Sequence, residues 1–344
     1  MEAGRGTTAA ASLRGRCLEL SGPLSRSDRS LPTRSGGAVE GRGGALRDPR
    51  QVRALGRAIV AWGTALGSGS RRPELPWRST RDPWAVLVSE VMAQQTQVGR
   101  VAPAYVRFLE ALPTPSACAA APLGEVLRLW QGLGYNRRAA NLHRAAGVMA
   151  AEHGGRVPSG LDDLLALPGV GAYTARAVQA FAFEVDVGVV DTNAGRVLSR
   201  AVAGRAVTAA EAQRLVDAMV PPGGGWPFGQ ALLDLGAAVC VTESPRCGRC
   251  PIRRRCRWVV SGRGDPDPAR GAAGVSAAQG RFHGSDRQGR GRLVERLRRG
   301  AVTADEIPEA TGWPDDPERA GRIVGGLVTE GLVVRDGDGA LHLP

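Results

Sequence analysis

From about residue 51 onward, apolar residues recur along this chain at intervals of three and four, and before residue 260 they show almost no alternation. Such spacing puts them on one face of a helix rather than one face of a strand. Val52, Leu55, Ile59, Val60 and Trp62 mark the first face. Leu75-Pro76-Trp77-Arg78 interrupts it, and Arg81-Asp82-Pro83 opens a second helix whose buried side is Trp84, Val86, Leu87, Val91 and Met92. Further helices are predicted over 101–112, 123–131, 138–152, 194–203 and 209–220, so the body is expected to be all-α.

Two interruptions carry more than punctuation. Leu161 to Leu167 reads as a short helix, Pro168 and two glycines break it, and a new helical run begins at Tyr173. A turn of this kind brings Gly169, Val170 and Gly171 to a helix start, where backbone N–H groups suit a phosphate oxygen. Between the helices predicted over 123–131 and 138–152 lies Gly132-Leu133-Gly134-Tyr135, a turn with an apolar residue and an aromatic at its tip. By itself it reads equally as a helix C-cap with a hydrophobic contact and as a wedge for a base stack.

Composition divides the chain. Residues 1–48 are rich in Gly, Ser, Arg and Ala without apolar periodicity and are expected to be a disordered basic arm. The body spans 49–260, and a Gly-, Ala-, Asp- and Pro-rich stretch over 261–282 reads as a linker. Residues 283–344 hold amphipathic runs over 292–297, 304–310 and 317–331, then two short apolar strands around Asp336-Gly337-Asp338-Gly339. Three helices and a hairpin predict a small winged-helix-like module.

The net charge of +12 favours a polyanionic partner, nucleic acid foremost. All 45 basic residues are arginine, and the chain has no lysine. No run of eighteen apolar residues is present, so no membrane span is expected, and a cytoplasmic monomer is the simplest setting. Four of the six cysteines stand as Cys240-x₆-Cys247-x₂-Cys250-x₅-Cys256, a closed ligand set interleaved with Arg246, Arg249, Arg253, Arg254 and Arg255. The crowding points to a metal centre rather than a disulfide framework, and the spacing alone leaves zinc and iron–sulfur open.

Taken together, Leu167-Pro168-Gly169-Val170-Gly171, Val189-Val190-Asp191-Thr192-Asn193 and the four cysteines resemble, in order and spacing, the helix-hairpin-helix DNA glycosylases. Ser89-Glu90-Val91-Met92-Ala93-Gln94-Gln95-Thr96 resembles the signature of their MutY-type adenine glycosylase branch, and the likeness runs from about Ala54 to Trp258. The resemblance implies a two-lobed fold with a 4Fe-4S cluster on Cys240, Cys247, Cys250 and Cys256. It implies double-stranded DNA with an adenine mispair as the partner, and Leu133 and Tyr135 as the wedge. Trp77 and Arg78 would line the adenine pocket, Gln230 would bond the flipped base, and Gln95 and Thr96 would probe the opposite strand. The chain departs from the family in Asn136, where a second aromatic is usual, in Thr192 for a glycine, and in Ala93 for a larger apolar residue. It also lacks the sequence of the family's Nudix-like C-terminal domain.

Cleaving an N-glycosidic bond takes a proton for the leaving base and negative charge beside an oxocarbenium-like sugar, which two carboxyls supply when their environments differ. Glu90, within an apolar helix, is expected to stay protonated. Asp191, at a helix start beside Asn193, is expected to stay ionised. Tyr173 stands where bifunctional relatives carry a Schiff-base lysine, so base removal without strand cleavage is expected. The rival expectations are a glycosylase of the same fold acting on a pyrimidine or mismatched thymine, and a DNA-binding protein without activity.

Overall fold

The computed structural model describes residues 48–65, 75–273 and 280–344. Apart from Asp48, the basic arm expected over 1–48 lies outside the described residues, as does 274–279 of the expected linker.

The body is helical throughout. α1 (Pro49–Ala65) is followed by a single 3-10 turn, Pro76–Arg78, and by α2 (Pro83–Ala93). α2 is apolar almost all round and accordingly buried almost all round, from Trp84 to Met92. Pro83 occupies its first turn and Asp82 caps it, accepting from the Ala85 amide at 2.7 Å. Then come α3 (Val98–Ala111), α4 (Pro115–Ala120), α5 (Leu123–Leu129) and α6 (Arg137–Glu152). α4 is too short for its periodicity to be read; Thr114 starts it, accepting from the Ala117 amide.

α7 (Leu161–Ala166) and α8 (Ala172–Phe181) form the predicted hairpin, and α9 (Thr192–Val197) continues into a wider π turn over Leu198–Ala203. α10 (Ala209–Met219), α11 (Gly225–Ala238) and the short α12 (Arg257–Val260) complete the body. The C-terminal module comprises α13 (Asp286–Leu297), α14 (Ile307–Thr311), α15 (Pro317–Thr329) and an antiparallel pair, β1 (Val334–Arg335) with β2 (Leu341–His342). An antiparallel bridge between Val302 and Leu341 extends that pair.

Two separate apolar cores divide the body into lobes. One joins α2 through α8 around Leu87, Phe108, Trp130 and Leu142. The other joins α1, α9, α10 and α11 around Ile59, Leu198, Phe228 and Leu235, and reaches Cys256. Two expectations are corrected here. The linker is docked in its first half: Ala272 and Ala273 are buried, the Ala273 amide donates to the Val207 carbonyl, and Asp267 pairs with buried Arg200. Its Gly- and Pro-rich composition conceals these few anchors. The winged-helix-like module is not a detached unit either, because Leu293, Val324 and Leu341 belong to the same core as α2 through α8.

Candidate active site

Glu90 and Tyr173 face each other where α2 meets the first turn of α8, and Asp191 approaches from the start of α9 in the other lobe. Burial pushes the Glu90 carboxyl up to about 7; the nearby Asp191 charge adds to this, and the Tyr173 hydrogen bond works against it. The Tyr173 hydroxyl donates that bond. Burial first, and the two carboxylates second, hold its own pKa well above the usual phenol value. Tyr173 is therefore a neutral donor beside a carboxyl poised to carry a proton.

Asp191 is held differently. Its Oδ1 caps α9, accepting from the Ala194 amide at 2.7 Å, and its Oδ2 accepts from the Asn193 side chain at 2.7 Å. Asn193 is fixed in turn by Arg196, which donates to its Oδ1 at 2.8 Å and to the Gly236 and Cys240 carbonyls. Gly236 lets α11 come this near: a Cβ there would meet the Asn193 Cβ at 2.6 Å. Arg196 thus runs from the Asp191 pair to the cysteine loop, a link that the sequence reading did not contain.

The expected pocket residues fall on the same side. Arg78 forms a two-pronged pair with Asp234, at 2.8 and 2.7 Å, which fastens the Trp77–Arg78 turn to α11. Gln230 lies one helical turn before Asp234, partly open. Trp77 packs edge-on against Tyr105, with ring centroids 5.3 Å apart.

The two expected DNA-reading loops meet around a residue not anticipated at all. Arg138 is buried and donates to the Val91, Met92 and Gln94 carbonyls on one side. On the other it donates to Thr96 Oγ1 at 2.9 Å and to the Leu133 and Gly134 carbonyls. Thr96 is thereby a strut within the loops. Gln95 and Tyr135 both have left-handed backbones, with φ of 53° and 47°. A non-glycine residue held there costs ~1–3 kcal/mol, and such strain concentrates at functional positions.

Leu133 corrects the expectation of an apolar tip: only 2% exposed, it anchors the loop in the core, and Tyr135, 37% exposed, is the side chain presented outward.

At the hairpin, Gly169 has φ of +79°, and the Asn141 side chain lies 2.6 Å from where a Cβ would stand, so both conformation and space call for glycine. Gly171 immediately precedes α8. Val170 is a second correction: its amide already donates to the Leu167 carbonyl at 3.1 Å and its side chain is buried, so it shapes the turn and offers no donor. Gln94, unassigned by sequence, ties the neighbouring loop to α8 through Thr174.

Cys240, Cys247, Cys250 and Cys256 line one pocket, walled by Val197, Ile252 and Trp258. Among the described residues no three potential ligands are gathered as for a single metal ion. The donor chemistry nevertheless fits a cluster. Burial raises the thiols of Cys240 and Cys256 and pushes that of Cys250 up to about 12, so thiolates here call for a positive partner. Arg200 contributes part of one: pinned by Asp267 at 2.5 Å, it reaches Cys240 Sγ at 3.5 Å.

No helix among the described residues is long and apolar enough to cross a membrane. Residues 88–222 match the HhH-GPD superfamily of base excision DNA repair proteins. The adenine DNA glycosylase of Mycolicibacterium smegmatis is 45% identical over 276 residues, covering 79% of this chain and 92% of that protein. A thermostable thymine-DNA glycosylase aligns with a TM-score of 0.55 at 28% identity, over 62% of this chain and 98% of its own. Endonuclease III, trapped as a covalent DNA intermediate in an estranged-adenine complex, aligns with a TM-score of 0.53 at 25% identity, over 64% and 100%. The chain that sets Glu90 against Asp191 across two helical lobes belongs to the adenine DNA glycosylase family, within the HhH-GPD superfamily of base excision repair proteins.

Proposed function

We propose that this protein is a monofunctional adenine DNA glycosylase, which takes adenine out of a mispair with 8-oxoguanine or guanine and hydrolyses its N-glycosidic bond. One observation carries the reading: a carboxyl raised to about 7 and a capped, amide-bonded carboxylate stand on opposite lobes around a buried phenol. Glu90 in its acid form donates a proton to a ring nitrogen of adenine, so that the base departs neutral. Asp191 faces the positive charge that develops on the sugar. Tyr173 keeps Glu90 oriented while the bond stretches. Water adds to the sugar, and its proton returns to Glu90.

Base removal ends the reaction, because no lysine side chain exists to form an imine with the opened sugar. Trp77, Arg78 and Gln230 enclose the flipped adenine, and Gln95, Thr96 and Tyr135 meet the strand left behind. Leu133 sets the height of the Tyr135 loop. The Gly169–Gly171 turn takes a phosphate of the strand that carries the adenine. The four cysteines hold a 4Fe-4S cluster, which makes the arginine-bearing loop rigid enough to meet phosphates. The protein acts as a monomer on double-stranded DNA, with the C-terminal module working as part of the body on which it packs.

The test is incubation with duplexes carrying adenine opposite 8-oxoguanine, guanine or cytosine, followed by alkali to cut at abasic sites. Alkali-dependent cleavage at adenine in the first two duplexes is expected. Release of thymine from a G·T duplex with adenine left intact would replace this reading with the activity in the thymine-DNA glycosylase's name. Iron near four per chain with broad absorption is expected of the purified protein, and a single zinc would sink the cluster assignment.

A further inference from the structure

The segment leading into α13 presents Phe282, 48% exposed, beside the other outward aromatic of this surface, Tyr135. Arg287, in the first turn of α13, joins them. Its guanidinium carbon lies 5.4 Å from the Phe282 ring centroid, and it donates to the Tyr135 hydroxyl at 3.5 Å and the Gly280 carbonyl at 3.1 Å. His283 packs edge-on against Phe282 at 5.7 Å. The turn is tied to its helix: the Ser285 hydroxyl donates to the Phe282 carbonyl at 2.6 Å and accepts from the Gln288 amide.

α13 is in turn fastened to the loop that bears Tyr135. Arg298, just beyond its end, donates to the Leu127 carbonyl at 3.0 Å and to Asn136 at 3.1 Å, and Gln131 donates to Glu295. From Phe282 an open groove runs along α13, lined by Arg292, Arg296 and Arg299. Its one carboxylate, Glu295, is engaged with Gln131 and Arg298.

A single exposed phenylalanine is ordinary. Two exposed aromatics bridged by a guanidinium and continued by an arginine-lined groove are the parts of a nucleic-acid stacking platform, with π-faces for bases and fixed positive charge for phosphates. The positive groove complements a DNA strand and continues the surface on which Tyr135 stands.

We propose that Phe282, Arg287 and Tyr135 form one composite platform, on which Phe282 stacks against the base left unpaired on the intact strand. In this reading Arg287 spaces the two aromatics, and the arginines of the α13 groove take that strand's phosphates. The C-terminal module then reads DNA through this platform rather than through a helix laid in the major groove. The inference rests on the assignment of Tyr135 to the intact strand under the proposed function.

The test is a binding cycle with the full-length protein. Affinity is measured for a duplex with a non-hydrolysable 2′-fluoro adenosine opposite guanine, and for the same duplex with an abasic spacer in place of the guanine. Wild type should bind the spacer duplex about tenfold more weakly, the size of a base–aromatic stack. Phe282→Ala should lose about tenfold on the guanine duplex and little more on the spacer duplex. Because Phe282 is exposed, its melting temperature should not change. Wild-type affinity of Phe282→Ala for the guanine duplex, or two losses that simply multiply, would overturn the platform. Adenine release by the wild type from a G·A duplex is followed in parallel. Failure there sinks the adenine reading alone, because the binding cycle decides the platform without any turnover.

Discussion

Glu90 and Asp191 are the same functional group in two opposite settings. Glu90 projects from a helix apolar almost all round, and it accepts a hydrogen bond from a phenol that is itself desolvated. Asp191 sits at a helix start, where a backbone amide and a side-chain amide both point at it, backed by Arg196. Removing water without supplying full compensation favours the protonated acid at Glu90, whereas both Asp191 oxygens are engaged by aimed N–H donors. The contrast supports the proposed division into an acid and a charge stabiliser without reference to any relative. It also identifies which changes should exchange or erase the two roles.

The largest effect is expected from Glu90→Gln. The amide cannot donate the proton, so single-turnover base release should fall by ~10²–10⁴ or more while mispair binding is retained. Stability should move the other way. With a folded-state pKa raised from 4.5 to about 7, Glu90 stabilises the fold fully below pH 4.5, and that contribution is lost as pH rises through 7. At pH 8 the charged, desolvated carboxylate therefore costs roughly 3 kcal/mol, and Glu90→Gln should raise the melting temperature there and not at pH 4. Unchanged single-turnover rates, or a variant less stable at pH 8, would remove Glu90 from the acid role.

Asp191→Asn comes next. The cap can survive, since the amide oxygen still accepts from Ala194, but the charge facing the sugar is gone and one amide of the Asn193 pair loses its acceptor. A drop of ~10²–10³ in single-turnover release is expected, with binding little changed. Equal activity of Asp191→Asn and wild type would mean that the carboxylate stabilises no developing charge.

For the wild type, release should be flat below pH 7 and fall about tenfold per pH unit above it, as Glu90 ionises. Tyr173→Phe removes the bond that lowers the Glu90 pKa, so the fall should begin at higher pH. A wild-type profile that rises through pH 7 would contradict the proton's place.

The contrast itself was legible in the sequence, and its supports were not. A lone glutamate in Val86–Met92 and an Asp-Thr-Asn at a helix start can be read as a line of text, because burial and capping are local properties. Arg138 cannot: it is one of many arginines, and its six acceptors come from loops far apart in the chain, as do Arg196's contacts with Gly236 and Cys240. Leu133 shows the same limit at short range. Gly-Leu-Gly-Tyr announces a turn, but left-handed backbones at Gly132, Gly134 and Tyr135 decide which side chain points inward. Most helices were readable from their periodicity, but α4, α11, α12 and the π turn were not, and the docked part of the linker hides in a composition that looks unstructured.

Arg138→Met tests one such support. The substitution keeps most of the volume and removes the guanidinium bonds between the two reading loops, leaving the direct Thr96–Leu133 bond. A loss of about tenfold in DNA affinity is expected, with the pH profile of release unmoved because Glu90 is not touched; this follows if the loops loosen without changing the desolvated acid. A shifted profile would mean that Arg138 acts through the charge of the site rather than through loop position.

The smallest effect, and the most pointed one, is expected from Tyr173→Lys. The wild type should yield no borohydride-trapped adduct through a side chain, since it has no lysine. A lysine at the first turn of α8 would place an amine where the phenol now meets Glu90, close to the sugar. Beside Glu90 and Asp191, however, it would be held as an ammonium, which cannot attack, and its charge would pull the Glu90 carboxyl back toward the ordinary carboxylate range. One substitution would thus make the two carboxylates alike. Adenine release at neutral pH should fall, and trapping should appear only weakly, growing with pH as the ammonium loses its proton. Strong trapping together with full adenine release at pH 7 would show that the difference between Glu90 and Asp191 does not set the chemistry of this site.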